Sequence, residues 1–334
     1  MKKNRIELPL IEPVYSTYHN QGAGSAILVH NPSIRNWYLN QVLILTCNRK
    51  FLKGFTTPEI SIVEGTWNTN PYLEKKWFGL QFLRGHVHYV IRNLLEAGYY
   101  VTFNGIDDYY VEGKSWYRQR HFPHDGCICG YDPEDDTYCI YAYDQNWIYR
   151  KFKTPKKCWE AGRKAMFKVG RYGNICGLKP KGDKVVFSPE TARKKLAEYL
   201  NSDFEKYPED GEGPVYGIVV HDYIAKYVGK LYDGSIPYEK MDRRVFRLIW
   251  EHKKVMLERI RRIEEALSLG GDVGDRYEAV VKDADMLRML YASHHMKRRD
   301  SVLPVIQKKL LSLKACEQAL LTELLANSEG GGVE

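Results

Sequence analysis

The chain has 334 residues, 44% apolar and 28% charged, with a net charge of +8. Seven cysteines, an odd number thinly spread, exclude a disulfide scaffold. No window approaches roughly 18 uninterrupted apolar residues and the N-terminus lacks a sustained apolar run, so neither a transmembrane helix nor a signal peptide is expected and the protein is read as cytoplasmic.

Residues 1–20 read as irregular, and "GAGSAILVH" (22–30) opens on small residues and enters a short helix. "IRNWYLNQVLILTC" (34–47) is apolar at helical or mixed spacing. Further on, Phe82, Val87, Tyr89, Val90, Leu94 and Leu95 recur at roughly helical spacing. Gly98 ends that run and "YYVTF" follows as a strand. His86 and His88 diverge on such a helix, so no metal site is expected there. "GCICGY" and "TYCIYAY" alternate as strands around "DPEDD", whose proline and aspartates are turn chemistry. "YRKFKTP" (149–155) extends the sheet, and the glycine-rich stretch 169–187 supplies a further strand or two.

After residue 187 the pattern turns helical. Ser188 is the N-cap, Pro189 the first helical residue, and Glu190 sits in the first turn. Phe246, Ile249, Trp250, Leu257, Ile260, Ile263 and Leu267 form one stripe. Two more helices are expected at about 275–299 and 301–327. The expected architecture is an α+β domain with an antiparallel sheet over 1–187, a helical domain over 188–328, and a disordered tail at 329–334.

The hairpin carries the candidate chemistry. With a three-residue loop of Pro133, Glu134 and Asp135, Cys129 faces Cys139 and His124 faces Asp144. An imidazole beside a carboxylate is the pair that activates a nucleophile: the acid fixes the tautomer and stabilises the imidazolium. A two- or four-residue loop would instead place Tyr143 or Gln145 opposite His124; His121 and Asp125 are alternatives to the pair, and Asn146 is an alternative orienting group. Cys127, Cys129 and Cys139 share a face, but no fourth ligand accompanies them, so no metal is expected. Upstream, "YHNQGAGSAIL" (18–28) offers backbone amides at a helix start for an oxyanion, Gln21 as a further donor, and Ser25 as the hydroxyl. "DDYY" (107–110) combines carboxylates and aromatics just after a strand, and by itself reads equally well as a polar loop. The basic residues are interleaved with acids and match no nucleic-acid motif, so neither nucleic acid nor membrane is expected as a partner.

The stretch from Val101 to Trp147, "VTFNGIDDYYVEGKSWYRQRHFPHDGCICGYDPEDDTYCIYAYDQNW", resembles the N-terminal region of the butirosin biosynthesis protein H family, and "IWEHKKVMLERI" (249–260) resembles a later helix of its relatives. The resemblance implies a papain-like cysteine-protease fold. It implies acyl transfer from the phosphopantetheine arm of an acyl or peptidyl carrier protein to a small amine, forming an amide in natural-product biosynthesis. By position it makes His124 the base, Asp144 its acid and Gln21 the oxyanion glutamine, and it sets Asp108, Tyr109 and Tyr110, with Asn146, near the histidine as lining of the substrate pocket. The pattern expects a cysteine at the start of the first helix, where this chain has "QGAGSAIL". Three readings stay open: Ser25 is the nucleophile; a cysteine has been replaced at Ala23, Ala26 or Ile27; or the chain is a carrier-binding subunit without covalent chemistry. A hydrolase at the same site is a further alternative. The net positive charge suits an acidic carrier protein.

Overall fold

The computed structural model describes residues 4–54, 57–202 and 213–330. In chain order the elements are β1 (Ile6–Glu7), α1 (His19–Ala26), α2 (Arg35–Gln41), β2 (Leu45–Asn48), β3 (Ser61–Ile62), β4 (Leu73–Gly79), α3 (Leu80–Leu83) and α4 (Val87–Glu96). They continue with β5 (Tyr100–Asp107), β6 (Pro123–Asp132), β7 (Thr137–Tyr143), β8 (Tyr149–Pro155), α5 (Lys156–Lys168) and β9 (Asn174–Pro180). The C-terminal part adds α6 (Pro189–Asn201), β10 (Pro214–Tyr216), α7 (Val220–Tyr232), α8 (Val245–Ala266), α9 (Val273–Lys297) and α10 (Leu303–Gly330). No helix among the described residues is long and apolar enough to cross a membrane.

The fold is mixed α+β and divides into two compact units, residues 1–34 with 66–184 and residues 35–65 with 185–334. A single boundary at 187 therefore needs correction, because Arg35–Gly65 belongs with the helices. The cause is a long-range pairing: β2 lies between β10 and β3, with Thr46 opposite Tyr216 and Leu45 opposite Ile62. Local pattern carries no information about such a partner.

The first unit is built on a seven-stranded antiparallel sheet in the order β4-β9-β5-β6-β7-β8, with β1 also paired to β6. Side-chain alternation gives it two faces. Val101, Phe103, Ile128, Ile140 and Ala142 form one core with Val87 and Ile91 of α4 and Trp159 of α5. The buried stripe of α4 is Val87, Ile91, Leu94 and Leu95; Phe82 and Tyr89, expected on it, are exposed. On the other face α1 rests on β6 and β7. It approaches closely because Gly22 has no side chain: a Cβ there would lie 2.7 Å from the Tyr149 ring.

Two local features position the ends of β5 and β6. Helix α5 packs on β5 through Gly162, where a Cβ would stand 2.7 Å from the Asp107 carbonyl oxygen. The hairpin loop has four residues, Pro133–Asp136, rather than three, since Asp132 pairs with Thr137. A bulge at Cys129 absorbs the extra residue: Gly130 pairs with Cys139, but Ile128 pairs with Ile140 and Cys127 with Tyr141. Beyond the bulge the pairing returns to the expected register, but the ladder stops at Cys127 and Tyr141: His124 pairs with Ile106, and Asp144 bridges to Lys114 rather than to His124.

In the second unit Ser188 Oγ accepts from Thr191 N at 3.1 Å and Pro189 opens α6. The α8 stripe buries Phe246, Ile249, Ile260 and Ile263. Helix α10 runs to Gly330, beyond the expected end at 328, with Ser328 donating back to Leu325 O. Residues 331–334 of the expected tail lie outside the described residues. At the centre of the helices Lys253 and Glu317, both fully buried, meet at 2.7 Å. Tyr199 and Tyr277 donate to the same carboxylate, so one polar cluster joins α6, α8, α9 and α10.

Candidate functional site

Strand β5 reaches the site through a bulge. Phe103 pairs with Gly126, the chain inserts Asn104 and Gly105, and Ile106 then pairs with His124. Gly105 has φ +66°, which only glycine adopts without strain. Immediately after the strand, Asp107 caps a short turn. Its Oδ1 accepts from Tyr109 N at 3.1 Å and Phe122 N at 3.0 Å, and its Oδ2 lies 2.8 Å from His121 Nδ1. That turn delivers Asp108, which is fully buried, to His124: Asp108 Oδ2 is 2.8 Å from His124 Nδ1. Lys114, also fully buried, places Nζ 3.3 Å from Asp108 Oδ1 and donates to the Asp125 carbonyl. The His124 ring keeps 27% of its surface exposed.

The chemistry of this cluster follows from its donors and acceptors. His124 Nδ1 lies between an acceptor, Asp108 Oδ2 at 2.8 Å, and a donor, Lys114 Nζ at 3.3 Å; with its proton directed to the carboxylate, Nε2 is the nitrogen left to act as a base. Lys114 offsets the charge of Asp108, which would otherwise be buried at high cost. The arrangement is an oriented imidazole ready to take a proton at Nε2.

Asp144 does not orient His124. Its Oδ1 accepts from Asn146 N at 2.8 Å and Ile148 N at 2.9 Å, and its Oδ2 pairs with Arg150. The carboxylate closes its own turn, an option open to any aspartate followed by a polar loop. Its backbone forms an isolated bridge with Lys114, so Asp144 supports the site at one remove. Asn146 is an exposed residue of that turn. Tyr109 stacks on His121 at 4.3 Å, and Tyr110 lies edge-on to Tyr109. These two tyrosines flank the second imidazole, not the first.

Of the expected nucleophile positions, Ala23, Ser25 and Ala26 lie in α1 and Ile27 opens the 3-10 turn that follows it. Ser25 is fully buried; its Oγ accepts from Val14 N at 3.0 Å and donates to Gln21 O at 3.1 Å. Ala23, Ala26 and Ile27 are likewise fully buried. Gln21 is buried, and its amide has no hydrogen-bond partner among the described residues. The helix starts earlier than "GAGSA" suggests, with His19 and Asn20 in its first turn and Tyr18 as N-cap. That turn borders a cavity of about 270 Å³ lined by His19, Asn20, Trp67, Trp77, Asp125 and Asn174. His19 Nδ1 is 2.9 Å from Tyr149 Oη. Burial holds its pKa well below the usual histidine range, helped by the charges of Lys114 and His124. Burial also pushes the Asp125 carboxyl up, with the neighbouring His124 and Lys114 opposing it.

Alternation puts His124 and Asp125 on different faces of β6, although the charges of Lys114 and His124 still reach His19. Gly126 shares a face with Phe103, whose ring a Gly126 Cβ would strike, and His124 shares that face. Asp125 points to the opposite face, toward α1. No family model and no curated protein matches this chain. Lys114, His19 and Asn20 escaped the sequence reading. A lone lysine in "VEGKSW" carries no local sign of burial, and the first turn of α1 was hidden by the small residues after it.

Proposed function

We propose that this chain is an acyltransferase of the butirosin protein H type, papain-like in its α+β unit, which passes an acyl group from a carrier-protein thioester directly to a small amine. The observation that supports this reading is His124 held at Nδ1 by the buried Asp108–Lys114 pair, in a chain whose first helical turn, His19–Gly22, has neither thiol nor hydroxyl. His124 Nε2 takes the proton of the attacking amine as the C–N bond forms. The C–S bond then breaks, and the imidazolium returns the proton to the leaving phosphopantetheine thiolate. No acyl-enzyme intervenes. A second reading, a carrier-binding subunit without turnover, is favoured by the full burial of Ala23, Ser25, Ala26 and Ile27, the candidate nucleophile positions.

The test is to mix the protein with acyl-loaded carrier protein, with and without a simple amine. Amide, free carrier thiol and intact protein mass are then followed. Direct transfer gives amide with no acyl adduct, loses it in His124→Ala and retains it in Ser25→Ala. Asp108→Asn is expected to slow it on the order of 10³-fold, by loss of the oriented tautomer. An acyl adduct overturns direct transfer, and free acid formed without amine makes the protein a hydrolase. Carrier binding with no turnover establishes the second reading.

A further inference from the structure

The other end of the same hairpin carries a pair of thiols that acyl transfer does not use. The bulge leaves Cys129 without a cross-strand partner and turns it toward Cys139, which pairs with Gly130. Gly130 makes this possible: a Cβ there would stand 2.5 Å from the Ile6 carbonyl oxygen and 3.2 Å from the Cys139 Cβ. The Cys129 thiol donates to Cys139 Sγ across 3.4 Å. Both cysteines are free, Cys129 buried and Cys139 half-buried. Cys139 opens on a surface cavity of about 160 Å³ together with Arg5, Glu7, Lys151 and Lys153.

We propose that Cys129 and Cys139 are a redox-active dithiol that hydroperoxides convert to a cross-strand disulfide. Cys139 is the attacking thiol because it alone of the pair reaches the surface. Its thiolate displaces hydroxide from the peroxide, giving a sulfenic acid and, for hydrogen peroxide, hydroxide ion. Cys129 then attacks that sulfur; its proton and the sulfenic hydroxyl leave as water, and the S–S bond forms. Two thiols are oxidised and one peroxide is reduced. The sulfurs need approach by little more than about 1 Å to reach bonding distance. The hydrogen bond from Cys129 draws the Cys139 thiol below its usual range, and cationic Lys151 and Arg5 act in the same direction. The remaining described thiols lack this arrangement: Cys47, Cys127 and Cys176 are buried, Cys158 is half-buried on α5, Cys316 is exposed on α10, and none of them is hydrogen-bonded to another thiol.

The experiment treats the reduced full-length protein with a few equivalents of hydrogen peroxide, blocks remaining thiols with iodoacetamide, and maps the peptides by mass spectrometry. A Cys129–Cys139 cross-linked peptide, lost on incubation with dithiothreitol, is the expected result. In Cys129→Ser, dimedone should label Cys139 as the trapped sulfenic acid; in Cys139→Ser, Cys129 should stay a thiol. Circular dichroism checks that both variants fold, and the wild-type map stands without them. Both cysteines recovered as free thiols while Cys316 oxidises, or cross-links only between other cysteines, would overturn the proposal.

Discussion

Replacing Lys114 by methionine tests the core of the site without touching the imidazole. The ammonium lies 3.3 Å from Asp108 Oδ1, and both side chains are fully buried. At that distance the attraction is about 5 kcal/mol for an effective dielectric constant of about 20. Removing one partner leaves a buried charge, which costs about 3–5 kcal/mol. His124 remains beside Asp108, so the lower end is expected. Converting Asp108 to asparagine as well removes the second charge. The double variant should therefore lose less than the sum of the two single variants, by about 2 kcal/mol. Urea unfolding by fluorescence and circular dichroism together reads this out on the transition of the sheet unit. Additive losses, or a Lys114→Met variant within about 0.5 kcal/mol of wild type, would refute the buried ion pair.

Asp144→Ala should cost about 1–2 kcal/mol of stability through lost turn bonds and the Arg150 pair, yet keep acyl transfer within tenfold. An activity loss as deep as that of Asp108→Asn would return Asp144 to the role of orienting acid. Stability of the helical unit should fall with acid. Burial pushes His221 down to about 3 and His252 well below its usual range, so both take up protons first in the unfolded chain. Their contribution is complete above about pH 6.5 and is lost as pH falls toward the folded values, by up to about 2.7 kcal/mol per pH unit for the two. Burial raises the Glu317 carboxyl, but Lys253 outweighs it by charge and hydrogen bond and holds it low, which adds to the loss below about pH 4.5. Urea midpoints measured from pH 7.5 to 4.5 check this, and a flat profile would refute it.

Much of the framework was legible from local pattern. The hairpin, the Ser188 cap, the long α8 stripe and the helical C-terminal part all follow from short-range rules of alternation, capping and 3.6-residue spacing. His124 was singled out by its place at the start of an alternating strand, and the structure holds its ring at Nδ1. Asp108, its partner, was read as a pocket residue. A strand pair predicts which backbones lie opposite, not which carboxylate turns toward the ring. Asp144 lies near enough in register, but its oxygens are taken by the amides of its own turn.

What the sequence by itself determined is therefore the central hairpin, the capped and striped helices of the C-terminal part, and the imidazole. The tertiary structure alone decided the rest. It joined Arg35–Gly65 to the helices through a distant strand pairing, buried Lys114 under Asp108, and brought the first turn of α1 and Asp125 to one cavity. Each depends on partners far apart in the chain, and a one-residue bulge changes which side chains meet. Spacing along the chain encodes the period of a strand, while its neighbours and faces are chosen by how the whole sheet closes.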